Sequence, residues 1–242
     1  MSEPLSAPPT AAAVVLAGGS GSRLGAAGNK VYLPLAGRRV ISWALNAFAS
    51  VAEVGRLVLV VRAEDRAIAA ETLDREVRAG IELVDGGCDR HGSEYAALRH
   101  LAPAIESGEI DVVAIHDGAR PLASRRLIAE TITTARLYGA AIPGLDLDDA
   151  MRSAPEGLTP VPASRLVRVQ TPQAFQAGPL LEMYERAAAD RFSGTDTSAC
   201  IERYGGLRVH CLPGDVRNIK ITYPQDLFLA ERLLALARYD PN

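Results

Sequence analysis

The chain has 242 residues, a length that suits one large α/β domain or two small ones. Its apolar content of 48% is ample for a core. The net charge of −3 argues against a general nucleic-acid binder, which would normally be basic, but local cations leave an anionic substrate open. No apolar run approaches the ~20 residues that a membrane-spanning helix needs.

The first ten residues, MSEPLSAPPT, lack the basic and apolar regions of a signal peptide, and their Pro and Ser content predicts a disordered leader over 1–10. The three cysteines, Cys88, Cys200 and Cys211, form no CxxC pair. This pattern favours a reducing cytoplasm and predicts neither a disulfide framework nor a zinc site. We therefore expect a cytoplasmic protein without membrane or nucleic-acid partners.

Short apolar runs alternate along the chain with longer amphipathic or Ala-rich stretches. The runs predict buried strands at 12–16, 56–61, 81–84, 112–116 and 140–142. The stretches between them predict helices at 40–50, 65–79, 93–106 and 125–138. This alternation is typical of βαβ units, so the predicted fold class is α/β, a mostly parallel sheet flanked by helices, in a single domain over 11–240.

The segment 144–168 interrupts the alternation. It is rich in Asp and Pro with short β-like pieces, which indicates an arm leaving the main body. Beyond it, the pattern predicts helices at 178–190 and 197–204, a strand at 208–212 and a last helix at 224–239.

The loop after the first strand is dense in Gly and Ser and reads GGSGSRLG from Gly18. Backbone N–H groups can surround a phosphate in such a loop, and Arg23 and Lys30, seven residues apart, can neutralise its charge. The spacing matches neither the GxGxxG dinucleotide fingerprint nor a P-loop, which needs GKS or GKT. A nucleotidyl-transfer site is therefore favoured, with a dinucleotide site and a purely structural loop as alternatives.

The segments GGCDRHGS and HDGARP also follow predicted strands. Ligands of open parallel sheets bind beyond the carboxyl ends of the strands, so we expect one composite site. Asp117 is a candidate Mg²⁺ ligand because hard cations prefer carboxylate oxygen, although a lone Asp here is more often a turn residue. Arg120 precedes Pro121, is therefore extended, and can reach a phosphate. His116 is expected to be a buried structural histidine.

Three other polar residues have both structural and functional interpretations. Ser93 is a natural helix cap, and in a nucleotide site its hydroxyl could read a base edge. Lys220, between two isoleucines, points to the opposite face if the segment is extended, with a solvated edge lysine as the alternative. Asp196 is predicted to cap the helix that begins near Thr197 and is also a candidate site residue.

Five blocks carry a family resemblance: LAGGSGSRLG…NKVYLPLAGRRVISWAL, GGCDRHGS, HDGARP, VQTPQAF and NIKIT.PQDL. In this order, over 12–234, they resemble the 2-C-methyl-D-erythritol 4-phosphate cytidylyltransferases of the non-mevalonate isoprenoid pathway. The ribitol-5-phosphate cytidylyltransferases share most of the blocks. The resemblance implies a Rossmann-like nucleotidyltransferase fold and a homodimer that exchanges the arm. It also implies that CTP and a polyol phosphate give a CDP-polyol and pyrophosphate, with Mg²⁺ as cofactor.

The resemblance also implies roles for individual residues. The cations expected to act in catalysis are Arg23, Lys30 and Lys220. The expected nucleotide-binding residues are Ala17, Gly18, Gly19, Gly87, Ser93 and Asp117, the last of which also holds the metal. The acceptor phosphate is already a nucleophile, so no general base is needed, which agrees with the lack of a Ser–His–Asp or Cys–His set.

The acceptor side departs from the family pattern at two places. In the arm, Ala150 stands where the family has threonine, and Ala163 stands where it has an arginine that reaches the acceptor phosphate. Arg152 and Arg165 are candidate replacements. The expected substrate-binding residues are thus Arg120, Arg152, Arg165 and Asp196.

The primary prediction is a cytidylyltransferase acting on CTP and 2-C-methyl-D-erythritol 4-phosphate. Because both departures concern the acceptor, a cytidylyltransferase for another acceptor, such as ribitol 5-phosphate or a phosphonate, is the alternative. A degenerate CTP-binding regulator is a third hypothesis, against which the retained cations and Asp117 argue.

Overall fold

The computed structural model describes residues 10–19, 28–147, 151–154, 157–160, 166–194 and 197–237. Twelve strands occur in these segments, and eight of them form one sheet. In chain order the strands are β1 Thr10–Leu16, β2 Pro34–Leu35, β3 Arg38–Arg39, β4 Val54–Val61, β5 Glu82–Asp85, β6 Ile110–Asp117, β7 Ala140–Asp146, β8 Met151–Ala154, β9 Gly157–Pro160, β10 Val167–Val169, β11 Gln173–Gln176 and β12 Val209–Pro213. The small pairs β2–β3 and β8–β9 lie outside the main sheet.

The main sheet has the order β10–β7–β11–β6–β1–β4–β5, and β12 pairs with β7. The pairs β6–β1, β1–β4, β4–β5 and β12–β7 are parallel. Strand β11 is antiparallel to β6 and β7, and β10 is antiparallel to β7. The predicted α/β class with a mostly parallel sheet is confirmed.

Helices pack on both faces of the sheet. They are α1 Val40–Ala49, α2 Arg66–Glu76, α3 Arg90–Glu106, α4 Arg125–Tyr138, α5 Ala177–Ala189, α6 Thr197–Tyr204 and α7 Pro224–Ala237. Alternate side chains of β1 enter two different core clusters: Ala13 and Val15 join one that contains residues of α1 and α4, and Ala12 and Val14 join one with α3 and α5. A strand covered on both faces needs no polar residues, which is why β1 is apolar throughout its centre.

Helix α3 begins three residues earlier than predicted. Its N-cap is Asp89, whose Oδ1 accepts the N–H of Gly92 at 2.7 Å, so the interpretation of Ser93 as the cap is wrong. Ser93 lies in the first turn, and its hydroxyl donates to the carbonyl of Asp89 at 2.8 Å. Asp and Ser are both good caps, and the position of the turn decides between them.

The predicted arm 144–168 begins inside the sheet, because β7 continues to Asp146 and pairs there with Val167 of β10. The hairpin β8–β9 lies within this segment, as its short β-like pieces indicate. Strand β11, in the QTPQAF block, was not predicted. The leader 1–10 lies outside the described residues except Thr10, which begins β1.

Candidate functional site

A cavity of about 270 Å³ opens beyond the carboxyl ends of β1, β5 and β6. The loops that follow these strands meet there, as expected for an open parallel sheet. The predicted site residues that line the cavity are Gly18, Gly19, Lys30, Gly87, Ser93, Asp117 and Lys220. Residues distant in sequence thus form one composite site of small and charged groups.

The other predicted site residues lie elsewhere or outside the described residues. Ala17 is fully buried beneath the cavity, where its N–H donates to the carbonyl of Val60 at 2.8 Å and its carbonyl accepts from the side chain of Asn29. Arg120 lines a neighbouring cavity instead. The predictions for Arg23, Arg165 and Asp196 fall outside the described residues, as does the side chain of Arg152.

Of the 26 lysines and arginines in the chain, two are lysines, Lys30 and Lys220, and both line this cavity. Lysine carries a compact charge on a flexible stem and binds phosphate as a point charge. Lys30 starts a 3-10 turn, Lys30–Tyr32, which is capped by Asn29 through a hydrogen bond from the N–H of Val31 at 3.3 Å. The lysine is buried, with 8% of its surface exposed.

Asn29 fixes the position of this turn against the sheet. Its Nδ2 donates to the carbonyl of Ala17 and to Oδ2 of Asp65, the latter at 2.9 Å. Burial raises the pKa of Asp65, but hydrogen bonds from Arg62 and Asn29 outweigh it and lower the pKa below its usual value. An ionised carboxylate therefore holds the amide that positions Lys30. Asn29 was not among the predicted site residues, although a capping residue directly before a lysine was the available signal.

Small residues let the loop after β5 approach α3 closely. A Cβ added to Gly87 would lie 2.6 Å from the carbonyl carbon of Gly92, so this position accepts only glycine without a shift of the backbone. A Cβ on Gly18 would contact the Ser93 hydroxyl at 3.7 Å. The backbone of Gly18 therefore lies close to the Ser93 hydroxyl, and Gly18, Gly87 and Ser93 all line the cavity.

Asp117, at the end of β6, is the centre of a charge cluster in the wall of the cavity. Its Oδ1 accepts from Arg90 at 2.5 Å, its Oδ2 accepts from Lys220 at 2.8 Å, and Arg120 Nε lies 3.6 Å from Oδ2. Burial raises the pKa of Asp117, but the charges of Arg90 and Lys220 dominate and hold it far below its usual value. The group is an ionised carboxylate with cations on both oxygens.

Arg90, in the GGCDRHGS block, lines the cavity and was not among the predicted site residues. It is the first residue of α3, where the helix macrodipole disfavours a cation. The helix was predicted to begin at 93, which left Arg90 outside it, so the sequence offered no signal for this residue. Its guanidinium is bonded to Asp117 and, through Nε at 2.8 Å, to Glu94, and these two carboxylates raise its pKa against the opposing effect of burial.

His116 supports Asp117 from beneath. The N–H of Asp117 donates to Oγ1 of Thr171 at 3.0 Å. Nε2 of His116 lies 3.0 Å from the carbonyl of Arg120, which can only accept, so Nε2 carries the proton. Nδ1 of the neutral ring therefore accepts from the Thr171 hydroxyl, also at 3.0 Å. Complete burial lowers the pKa of His116 to about 4, so the ring is neutral. The prediction of a structural histidine is confirmed.

A second cavity, of about 330 Å³, adjoins the first at Lys220, which lines both. Arg120 and Arg168 also line it. Arg120 Nη1 donates to the carbonyl of Asn218 at 2.8 Å. Burial lowers the pKa of Arg120, and the positive charges of Arg90 and Arg168 contribute to the lowering. Two cavities rich in cations therefore meet at one lysine.

This fold and this site define a Rossmann-like nucleotidyltransferase: small-residue loops and cations are gathered at the carboxyl edge of a mostly parallel sheet. The family model of 2-C-methyl-D-erythritol 4-phosphate cytidylyltransferase, IspD, matches residues 11–236, and the chain belongs to this family.

Individual relatives agree with this membership. The chain is 40% identical over 227 residues to the 2-C-methyl-D-erythritol 4-phosphate cytidylyltransferase of Geobacillus kaustophilus, covering 92% of this chain and 96% of that one. It is 39% identical to the Cereibacter sphaeroides protein of the same name, covering 94% and 98%. Among solved structures, the 4-diphosphocytidyl-2C-methyl-D-erythritol synthase of Anaerococcus prevotii superposes with a TM-score of 0.80 at 29% identity, covering 94% of this chain and 96% of that one.

Proposed function

We propose that the protein joins CTP to 2-C-methyl-D-erythritol 4-phosphate, giving 4-diphosphocytidyl-2-C-methyl-D-erythritol and pyrophosphate. The relatives described above carry the names of this enzyme. The observation that carries the proposal is the position of Lys220, which lines both cavities and therefore lies where two phosphorylated substrates can meet.

CTP is proposed to occupy the first cavity. The backbone around Gly87 and the hydroxyl of Ser93 are suited to the edge of the cytosine, because both line the cavity and a glycine has no side chain to keep a base away from its backbone. Lys30, Lys220 and Arg23 are the proposed partners of the triphosphate. The cationic lining supports this assignment, since phosphates bind where fixed donors and charges converge.

The proposed reaction is an in-line attack. A phosphate oxygen of the acceptor forms a bond to the α-phosphorus of CTP while the bond from that phosphorus to the bridging oxygen of the β-phosphate breaks, and pyrophosphate leaves with the electron pair. The attacking oxygen is already anionic, so no residue has to remove a proton. Lys30 and Lys220 align the two polyanions and stabilise the charge that develops on the pentacoordinate phosphorus.

Magnesium is a proposed cofactor, and Asp117 is its proposed protein ligand. Among the described residues no group of three or more His, Cys, Asp or Glu could enclose a metal ion. One carboxylate with oxygens of the nucleotide is nevertheless a usual way to hold Mg²⁺, and each oxygen of Asp117 has lone-pair capacity beyond its bond to a cation. Asp117 therefore fits a Mg²⁺ ion that is bound together with the phosphates of the nucleotide. When bound, Mg²⁺ would supply further neutralisation of phosphate charge.

The acceptor phosphate is proposed to bind in the second cavity, between Arg120, Lys220 and Arg168. Arg168 was not among the sequence candidates, yet it is the arginine that lines this cavity among the described residues of the 144–168 segment. It is therefore a third candidate, beside Arg152 and Arg165, for the role that the family gives to the arginine replaced here by Ala163.

A homodimer formed through the arm is also proposed. Exposed apolar side chains at the base of the arm support it, namely Leu166, Val167 and Val169, of which 37%, 42% and 48% is exposed.

In the described part of the chain no helix has the length and apolar character needed to cross a bilayer. The three cysteines are free, and on this ground we also propose a cytoplasmic location.

The proposal is tested with purified protein, CTP, Mg²⁺ and a panel of acceptors, with pyrophosphate release and product mass as readouts. We expect turnover with 2-C-methyl-D-erythritol 4-phosphate and at least tenfold lower kcat/KM with ribitol 5-phosphate or a phosphonate, since a lost hydrogen-bonding group costs at least that much. Faster turnover with another acceptor would establish the alternative cytidylyltransferase. CTP binding without turnover of any acceptor would establish a regulator.

A further inference from the structure

A buried carboxylate, Glu94, lies behind the wall of the first cavity, and the reaction proposed above gives it no role. It is in the second turn of α3 and is fully buried. It accepts hydrogen bonds from the Tyr184 hydroxyl, from Oγ1 of Thr197 at 3.0 Å and from Nε of Arg90 at 2.8 Å. A carboxylate is costly to bury unless its oxygens are paired. The three donors around Glu94 therefore form a hydrogen-bond network that satisfies its carboxylate oxygens.

Arg90 connects Glu94 to the cavity. Its Nε donates to Glu94 and its Nη1 donates to Asp117. One guanidinium therefore joins a carboxylate behind the cavity wall to a carboxylate in the wall. The guanidinium is planar, and fixing Nε fixes the direction of the two terminal nitrogens. The helix macrodipole disfavours a cation at this position, and the bonds to the two carboxylates offset that effect.

We propose that Glu94 is a positioning residue that holds the guanidinium of Arg90 toward the nucleotide cavity, where Arg90 provides a fixed cation for the triphosphate of CTP. This inference rests on the proposed function, because it takes CTP as the occupant of the cavity. Tyr184 and Thr197 belong to α5 and α6, so their bonds to Glu94 connect these helices to the site.

Two variants separate positioning from simple packing. Glu94→Leu keeps a similar volume but removes every acceptor for Arg90, whereas Glu94→Gln keeps one oxygen that can accept from Nε. We expect Glu94→Leu to raise the Kd and KM for CTP about tenfold, since a hydrogen bond to a charged group is lost. Glu94→Gln should stay within about threefold of the wild type because that bond is retained. The KM for the acceptor should not change in either variant.

The matched control is Glu82→Leu. Glu82 accepts from Nε of Arg56 at 2.7 Å, an arginine–carboxylate pair at the amino end of β5, away from the cavity. The same substitution there should leave CTP affinity unchanged. The inference is also tested by coupling: in an Arg90→Gln background, Glu94→Leu should cause no further loss of CTP affinity, because Glu94 acts through Arg90.

Several outcomes would overturn the inference. One is a Glu94→Leu variant with a lower Tm but the wild-type Kd for CTP. Another is a Glu94→Leu substitution that lowers CTP affinity equally in the wild-type and Arg90→Gln backgrounds. If Glu94→Leu does not fold, Glu94→Asp replaces it, since the shorter carboxylate keeps the charge but does not reach Arg90. Unchanged CTP affinity in that variant contradicts positioning. A wild-type protein that binds no CTP would overturn the proposed function and this inference together, whereas unaltered variants of a CTP-binding protein overturn this inference alone.

Discussion

Lys220 is the residue on which the two cavities converge. Its ammonium is bonded to Asp117 at 2.8 Å, which keeps it at the boundary between the proposed sites of CTP and acceptor. A cation held in this way needs no reorganisation when charge develops on the phosphorus, which is the condition for strong electrostatic catalysis.

Lys220→Met should therefore reduce kcat about 10²- to 10³-fold, the range seen when one preorganised donor is removed. The measurement is steady-state pyrophosphate release with both substrates saturating. Arg217→Met is the control, because Arg217 is on the same segment but exposed and paired with Asp215 at 3.5 Å. A kcat within threefold of the wild type in Lys220→Met would contradict the role of this lysine.

His116 gives the fold a pH dependence of definite sign. Its pKa is about 4 in the folded protein, because of burial, against 6.5 in an exposed chain. Between these values the unfolded chain binds more protons, so this contribution to stability is complete above pH 6.5 and is lost as the pH falls toward 4. The shift corresponds to about 3 kcal/mol.

His116→Gln should flatten this dependence, since the amide cannot titrate. We expect the difference in free energy of unfolding between wild type and variant to shrink by about 3 kcal/mol from pH 7 to pH 4, measured by urea denaturation. His210→Gln, at a partly exposed histidine, is the control. A difference that stays constant over this range would show that His116 is not buried as a neutral ring.

At the scale of elements, the site depends on the packing of the loop after β5 against the start of α3. Gly87→Ala would place a methyl group 2.6 Å from the backbone of Gly92, and the loop would have to move away from the helix. We expect a KM for CTP raised at least tenfold and a lower Tm, because clashes in packed regions typically cost 1–3 kcal/mol. Gly80→Ala is the control, since no atom beyond the adjoining residues lies within 4 Å of the place that its methyl group would take. Equal behaviour of the two variants would refute the packing argument.

The sequence predicted the main strands and helices because apolar runs covered on both faces are easy to distinguish from amphipathic helices. The first residue of α3 could not be predicted from the sequence, since Asp89 and Ser93 are both residue types that commonly cap helices. Only the path of the preceding loop selects Asp89. Strand β11 was missed because QAFQ has only two apolar residues between two glutamines and therefore shows no apolar run.

The candidate site was predictable where residues follow strands. Lys30, Asp117 and Ser93 could be assigned to one sheet edge because parallel strands end together. Arg90 and Arg168 were not found, because their roles depend on where a guanidinium points across the fold, and spacing along the chain does not contain that information. The GGCDRHGS block of the family resemblance contains Arg90, but the block does not distinguish this residue from its neighbours.

At the scale of the whole molecule, the proposed dimer follows from the apolar residues exposed beside the arm. Light scattering should give about twice the 25.7 kDa mass of one chain. Replacing Val167 and Val169 by Glu should give monomers, because charges on this surface would have to be buried in the interface. As control, Leu137→Glu changes a more exposed apolar residue on α4 and should leave the dimer intact. A monomeric wild type would contradict the proposed exchange of arms.

The central claim is that CTP and the acceptor phosphate occupy the two cavities on either side of Lys220. The most direct test is a crystal structure with the product 4-diphosphocytidyl-2-C-methyl-D-erythritol bound. We predict the cytosine against Gly87 and Ser93, the diphosphate on Lys220, and the methylerythritol in the cavity lined by Arg120 and Arg168. A product bound elsewhere, or with its diphosphate out of reach of Lys220, would contradict the claim.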